Sequence, residues 1–222
     1  MKLRLRPFVV VVVGLMCAHV AHGQGMILRS VPQKIDRHAR YLFYVSGLIV
    51  NEDNTRPTSP RFGVYEYDQI LETFKARGFI VISEARKQSS QIEPYATKVA
   101  GQIKQLLAAG VPAKRITVVG ASQGSWIAML ASTYLANRDV RFVFIAACAA
   151  DDGLLNLVDL YGSVLFISEH TDLPGSCERF RSDATGLRDY KAIEVNTGLK
   201  HGFLFRPLNE WVEPTIEFAM HR

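Results

Sequence analysis

The chain has 222 residues, of which 48% are apolar, and it carries 26 Lys plus Arg against 21 Asp plus Glu. That composition excludes a disordered, collagen-like or low-complexity chain and is enough to bury a sizeable core. Three of the cations, Lys2, Arg4 and Arg6, fall within the first 23 residues, so the remainder has 23 cations against 21 anions and offers no electrostatic case for binding nucleic acid or an acidic membrane.

Taken in chain order, the basic start is followed by an apolar run from Phe8 to about Val20 and by the small residues Ala21 and Gly23, which is the pattern of a signal peptide cut before Gln24. The run is too short and too poorly flanked for a secure transmembrane helix, the alternative reading being a retained N-terminal anchor. Residues 24–222 are therefore expected as a single domain, periplasmic or secreted, with no stable membrane insertion after cleavage. Cleavage leaves Cys148 and Cys177, each after an expected strand and on the same sheet edge. In an oxidising compartment these two pair as a disulfide, the alternative being two inert thiols.

Expected strands then alternate with helical segments. Met26 to Val31 reads as an edge strand and Tyr41 to Ser46 as a central one, followed by a polar loop to Arg61. Tyr67, Ile70, Leu71 and Phe74 repeat at helical spacing until Gly78. A strand follows at Phe79 to Ser83. Ser90, Glu93 and Pro94 mark entry to a helix whose apolar face is Val99, Ala100, Ile103, Leu106 and Leu107. Strands are expected at 116–120, 141–147, 163–168 and 191–195, with helices over 125–136 and 208–220 and a modest helical stretch through Leu154, Leu157 and Leu160. This order predicts an α/β fold with a mostly parallel central sheet of about seven to eight strands and helices on both faces.

The most informative stretch joins the strand at 116 to the helix after it: Gly120-Ala121-Ser122-Gln123-Gly124, a G-x-S-x-G nucleophile elbow. Such an elbow turns a strand abruptly into a helix, thrusts one side chain out at the bend, and needs small residues two places either side because strand and helix almost touch. The bland alternative is a glycine-rich connection with Ser122 as a helix cap. A serine hydroxyl needs a base and a group to orient the base. His201, in a loop between the last strand and the last helix, arrives on the same sheet edge as the elbow; His38 lies on the opposite edge, His170 decorates the acid loop, and His221 is terminal. Asp172, after the strand at 163–168, is the favoured acid. Glu169 is its nearest rival, and Asp172 before Leu-Pro-Gly also reads as an ordinary turn residue. Asp151 and Asp152 read as helix caps. The oxyanion donors are expected to be the backbone N–H groups of Gln123 and of Leu48, the latter after Ser46-Gly47. Trp126, Tyr65 and Tyr67 are candidate pocket aromatics, or plain core.

On the GASQG elbow, the VLFISEHTD segment and the LKHGF loop, the chain resembles the α/β-hydrolase superfamily over nearly the whole of residues 24–222. The resemblance implies a slightly truncated hydrolase sheet, a Ser122, Asp172, His201 triad, and neither cofactor nor metal. Two departures stand out: Ser46-Gly47 where the family often has His-Gly, and Glu169 where a glycine is frequent. Short connections where relatives insert a lid point to a small-molecule acyl substrate and an esterase before an interfacial lipase. The same triad serves amide, peptide or lactone bonds, and the contrasting class is a hydrolase-fold binding protein without turnover.

Overall fold

A computed structural model describes residues 25–147, 156–172 and 178–221. In chain order its elements are β1 (Met26–Leu28), β2 (Arg40–Val45), the short strands β3 (Thr58–Ser59) and β4 (Gly63–Val64), α1 (Tyr67–Ala76), β5 (Phe79–Ile82), α2 (Ile92–Ala108), β6 (Ile116–Ala121), α3 (Gln123–Leu135), β7 (Arg141–Ile145), β8 (Tyr161–Glu169), α4 (Arg179–Ser182), β9 (Gly186–Val195) and α5 (Asn209–Met220). Seven strands make one sheet in the order β1-β5-β2-β6-β7-β8-β9, and every pairing in it is parallel.

The strand sequences explain why the sheet is covered on both sides. Successive residues of a strand point to opposite faces, and here both sets are apolar. Tyr41, Phe43 and Val45 of β2 join Phe142 and Phe144 of β7 in one core layer with α2 and α3. Leu42 and Tyr44 join Val143 and Ile145 in the other, with α1 and α5. Helix α3 is buried nearly all round, whereas α1 buries only Tyr67, Ile70, Leu71 and Phe74.

Chain order reverses beside β2: β5 lies on one side of it, and the chain then crosses to β6 on the other. In open parallel sheets a ligand crevice opens at the carboxyl ends of strands flanking such a reversal. The ends of β2 and β6 are the residues before Ser46-Gly47 and Ser122, so topology alone directs attention to that rim.

Several boundaries differ from the sequence expectation. β1 stops at Leu28. β9 begins at Gly186, five residues earlier than expected, because Arg188 and Asp189 lie on an exposed edge strand and carry no apolar pattern. Gly63-Val64, between the polar loop and the helix, pairs with Thr58-Ser59 as a hairpin. Ser90 and Glu93 do not cap α2: it starts at Ile92 without a side-chain cap, and Ser90 N–H closes a turn on Lys87 O at 2.9 Å. The helical stretch through Leu157 and Leu160 is replaced, where described, by an exposed turn at Leu157 and an irregular lead into β8 in which Leu160 is buried. Leu154, Asp151, Asp152, Cys148, Cys177 and the segment 1–23, expected as a signal peptide, lie outside the described residues.

Candidate active site

Ser122 sits between β6 and α3 with φ 54° and ψ −120°. A side chain bearing a Cβ at positive φ costs about 1–3 kcal/mol. The surrounding contacts hold it there: Ser122 N–H donates to Ile145 O at 2.8 Å, and the buried Ser125 hydroxyl lies 2.7 Å from Gly120 O and accepts from Ile145 N–H at 3.0 Å. The two elbow glycines are needed for space. A Cβ on Gly120 would stand 2.4 Å from Gly124 O, and one on Gly124 only 1.9 Å from Val45 O.

The structure brings Ser122, His201 and Asp172 together in one hydrogen-bonded line. His201 Nε2 lies 2.9 Å from Ser122 Oγ, and His201 Nδ1 lies 2.7 Å from Asp172 Oδ2. Asp172 follows the end of β8. His201 lies in a 3₁₀ helix (Lys200–Phe205) that follows β9 and leads to α5. That segment is fixed from above, where Glu66 N–H donates to Phe205 O at 2.7 Å and Phe62 packs on Gly202, whose absent Cβ would stand 3.1 Å from Phe62 Cβ. The Asp172 and His201 side chains are 9% and 21% exposed, so their hydrogen bond is largely shielded from water.

The other candidates fall elsewhere. Glu169, the rival acid, does not reach His201. It is 3% exposed, and its Oε2 accepts from Thr171 N–H and Thr171 Oγ1–H, each at 2.6 Å, while Oε1 accepts from the N–H groups of Thr197 and Gly198, each at 3.0 Å. Burial pushes its carboxyl upward, but these donors outweigh it and hold the group below the usual glutamate range. His170 is exposed against Glu194, and His38 precedes β2 on the far edge, its carbonyl accepting from Arg115.

The loop after β2 abuts the nucleophile: a Cβ on Gly47 would stand 3.5 Å from that of Ser122. Leu48 is half exposed beside it, and Gln123 opens α3, where a first-turn N–H has no intrahelical acceptor. Arg86, which the sequence reading missed, joins the two. It is 4% exposed, and its guanidinium donates to Ser46 O at 3.0 Å and to Gln123 Oε1 at 3.2 Å. Burial lowers its pKa. Nothing in the sequence marks it, since a lone arginine after a strand has no pattern. Tyr65 and Tyr67 are core residues, with Tyr65 OH 2.7 Å from Tyr44 OH. Burial raises the Tyr65 phenol to about 12.

A cleft of about 570 Å³ opens over Ser122 and His201, walled by Phe62 and Trp126 with Arg61 and Lys200 at its side. Of the four non-glycine residues at positive φ among those described, Ser122, Ala146 and Lys200 all line this cleft. Backbone strain concentrated in one cleft makes it a candidate functional site independently of any motif.

The sheet order, the elbow and the two loops together define an α/β-hydrolase fold. Solved structures share it at low identity. A monoacylglycerol lipase from Paleococcus ferrophilus superposes with a TM-score of 0.55 at 12% identity, covering 82% of this chain and 95% of that one. Est1E from Butyrivibrio proteoclasticus gives 0.55 at 14%, covering 86% and 91%. A lipase-esterase related protein from Clostridium acetobutylicum gives 0.54 at 14%, covering 82% and 96%. No protein-family model and no curated protein matches the sequence.

Proposed function

We propose that this chain is an exported serine hydrolase that cleaves carboxylic esters or thioesters of small acyl substrates through an acyl-enzyme. The observation that carries the reading is the unbroken line Ser122, His201, Asp172 mounted on a strained elbow. The lipase and esterase names of the structural neighbours support the ester bond as the target, and the N-terminal segment 1–23 supports export.

In this mechanism His201 Nε2 takes the proton from Ser122 Oγ as Oγ attacks the acyl carbon, and Asp172 holds Nδ1–H so that Nε2 is free to accept. The oxyanion that forms is received by the N–H groups of Gln123 and Leu48. As the C–O or C–S bond breaks, the leaving alkoxide or thiolate takes the proton from His201. Water then attacks the acyl-enzyme, His201 again removing a proton, and the acid departs as Ser122 Oγ is reprotonated. The half-open cleft, with Phe62 and Trp126 as apolar walls, suits a compact acyl group.

Short p-nitrophenyl esters offered to the protein lacking residues 1–23 test this reading. Ser122→Ala is expected to lower kcat by roughly 10⁴-fold or more, and Asp172→Asn by about 10³- to 10⁴-fold with little change in KM. A fluorophosphonate probe should label Ser122. Ester turnover that survives Ser122→Ala at the parent rate would sink the assignment.

A further inference from the structure

A buried carboxylate at the end of β8, Glu169, is tied to both loops that carry the proposed triad. Glu169 is the last residue of β8 and pairs in register with Val195, the last residue of β9. Beyond these two residues the chains diverge, one to Asp172 and the other to His201. The side chain of Glu169 turns into the gap between them. Its Oε2 takes both donors of Thr171, the residue before Asp172. Its Oε1 takes the N–H groups of Thr197 and Gly198, four and three residues before His201, with the Thr197 hydroxyl a further 3.4 Å contact.

A buried carboxylate is costly unless its lone pairs are filled. Here all the partners are donors, none is a cation, and they divide between the two loops, two on Thr171 and three on Thr197 and Gly198. That division is what a fastener needs and what a mere core group does not. We propose that Glu169 is a positioning residue that clamps the acid loop to the histidine loop and so sets the Asp172–His201 hydrogen bond. The inference rests on the triad reading given above.

Only a carboxylate fits both ends. A glutamine in the same place would accept from one loop and turn its NH₂ toward backbone N–H groups on the other, which cannot accept, leaving only a threonine hydroxyl to hold that side. A misplacement of about 1 Å in a reacting group can cost on the order of 100-fold in rate.

The test compares parent, Glu169→Gln, Asp172→Asn and the double variant with a p-nitrophenyl ester. Glu169→Gln is expected to lower kcat about 10- to 100-fold with KM within about 2-fold, because the loss lies in alignment of the base and not in binding. In the Asp172→Asn background the same change is expected to cost less than about 3-fold, since the bond it serves is already gone. A structural role would instead multiply the two losses. Thr171→Val, which removes one donor and leaves its N–H, gives a smaller loss of a few-fold and keeps the test open if Glu169→Gln does not fold.

A readout that needs no turnover separates failure of the clamp from failure of the hydrolase reading. The His201 Nδ1 proton, held by Asp172, gives a far-downfield proton NMR signal in the parent that should broaden or vanish in Glu169→Gln. A kcat within about 2-fold of the parent, losses that multiply, or an unchanged downfield signal would each overturn the proposal.

Discussion

Glu169 and Asp172 are three residues apart, both acidic and both beside the end of one strand, yet their surroundings give them different work. β8 runs as far as Glu169 itself, so that side chain remains at the sheet rim, while Asp172 clears the rim and reaches His201. The sequence identified the serine and the histidine through motif and chain order. Which carboxylate completes the line depended on where β8 ends, a boundary the residue pattern fixes only loosely. The bonding of Glu169 also has a thermodynamic signature. Its folded pKa lies below the ordinary value of 4.5, so it contributes stability that is fully present above that value and lost as pH falls through the lower folded one. In urea unfolding, the stability gap between parent and Glu169→Gln should be constant near neutrality and narrow below about pH 4.5. A gap that stays constant down to pH 2 would show that the charge contributes nothing.

At the scale of elements, the elbow is a contact between α3 and the end of β2, with no room for a methyl group. Gly124→Ala would place a carbon 1.9 Å from Val45 O, and no rotamer change relieves a backbone clash. The helix must move, at a cost of about 1–3 kcal/mol or more, and Ser122 moves with it. The expected result is a lowered urea midpoint together with lost probe labelling, whereas an unchanged midpoint would place the contact elsewhere. The elements bearing strong apolar repeats, β2, β6, β7, α1 and α2, were legible in the residue pattern. Those that were not are stabilised by less visible means. The first half of β9 is an exposed edge strand, α4 is four residues long, and the β3–β4 hairpin is held by Tyr65 N–H donating to Pro57 O at 2.9 Å.

Across the whole molecule, the site is assembled from the carboxyl ends of β2, β6, β8 and β9, which are far apart in sequence and neighbours on one rim. Parallel strands deliver all their ends to the same side, and the reversal of chain order beside β2 leaves a gap there. The apolar runs and the Gly-rich turns after them are what make these strand ends legible in the sequence. The proposed export bears on the whole chain as well. Loss of residues 1–23 on export would leave two cysteines, Cys148 and Cys177, which in sequence follow the paired strands β7 and β8. For protein recovered from an oxidising compartment and denatured, alkylation is expected to find no free thiol before reduction and two after it. Two free thiols before reduction would rule out the bridge.

Two successive peptide units of the loop after β2 are held by hydrogen bonds. Ser46 O accepts from Arg86 at 3.0 Å, and Gly47 O accepts from Val50 N–H at 3.4 Å. A glycine peptide is ordinarily the easiest to flip, and the unit that carries the Leu48 N–H is the one closed on Val50. In the role proposed for Leu48, charge that develops over Ser122 would then meet a dipole already held in place, so the solvent-like work of reorienting donors would be done once, during folding, rather than in every turnover.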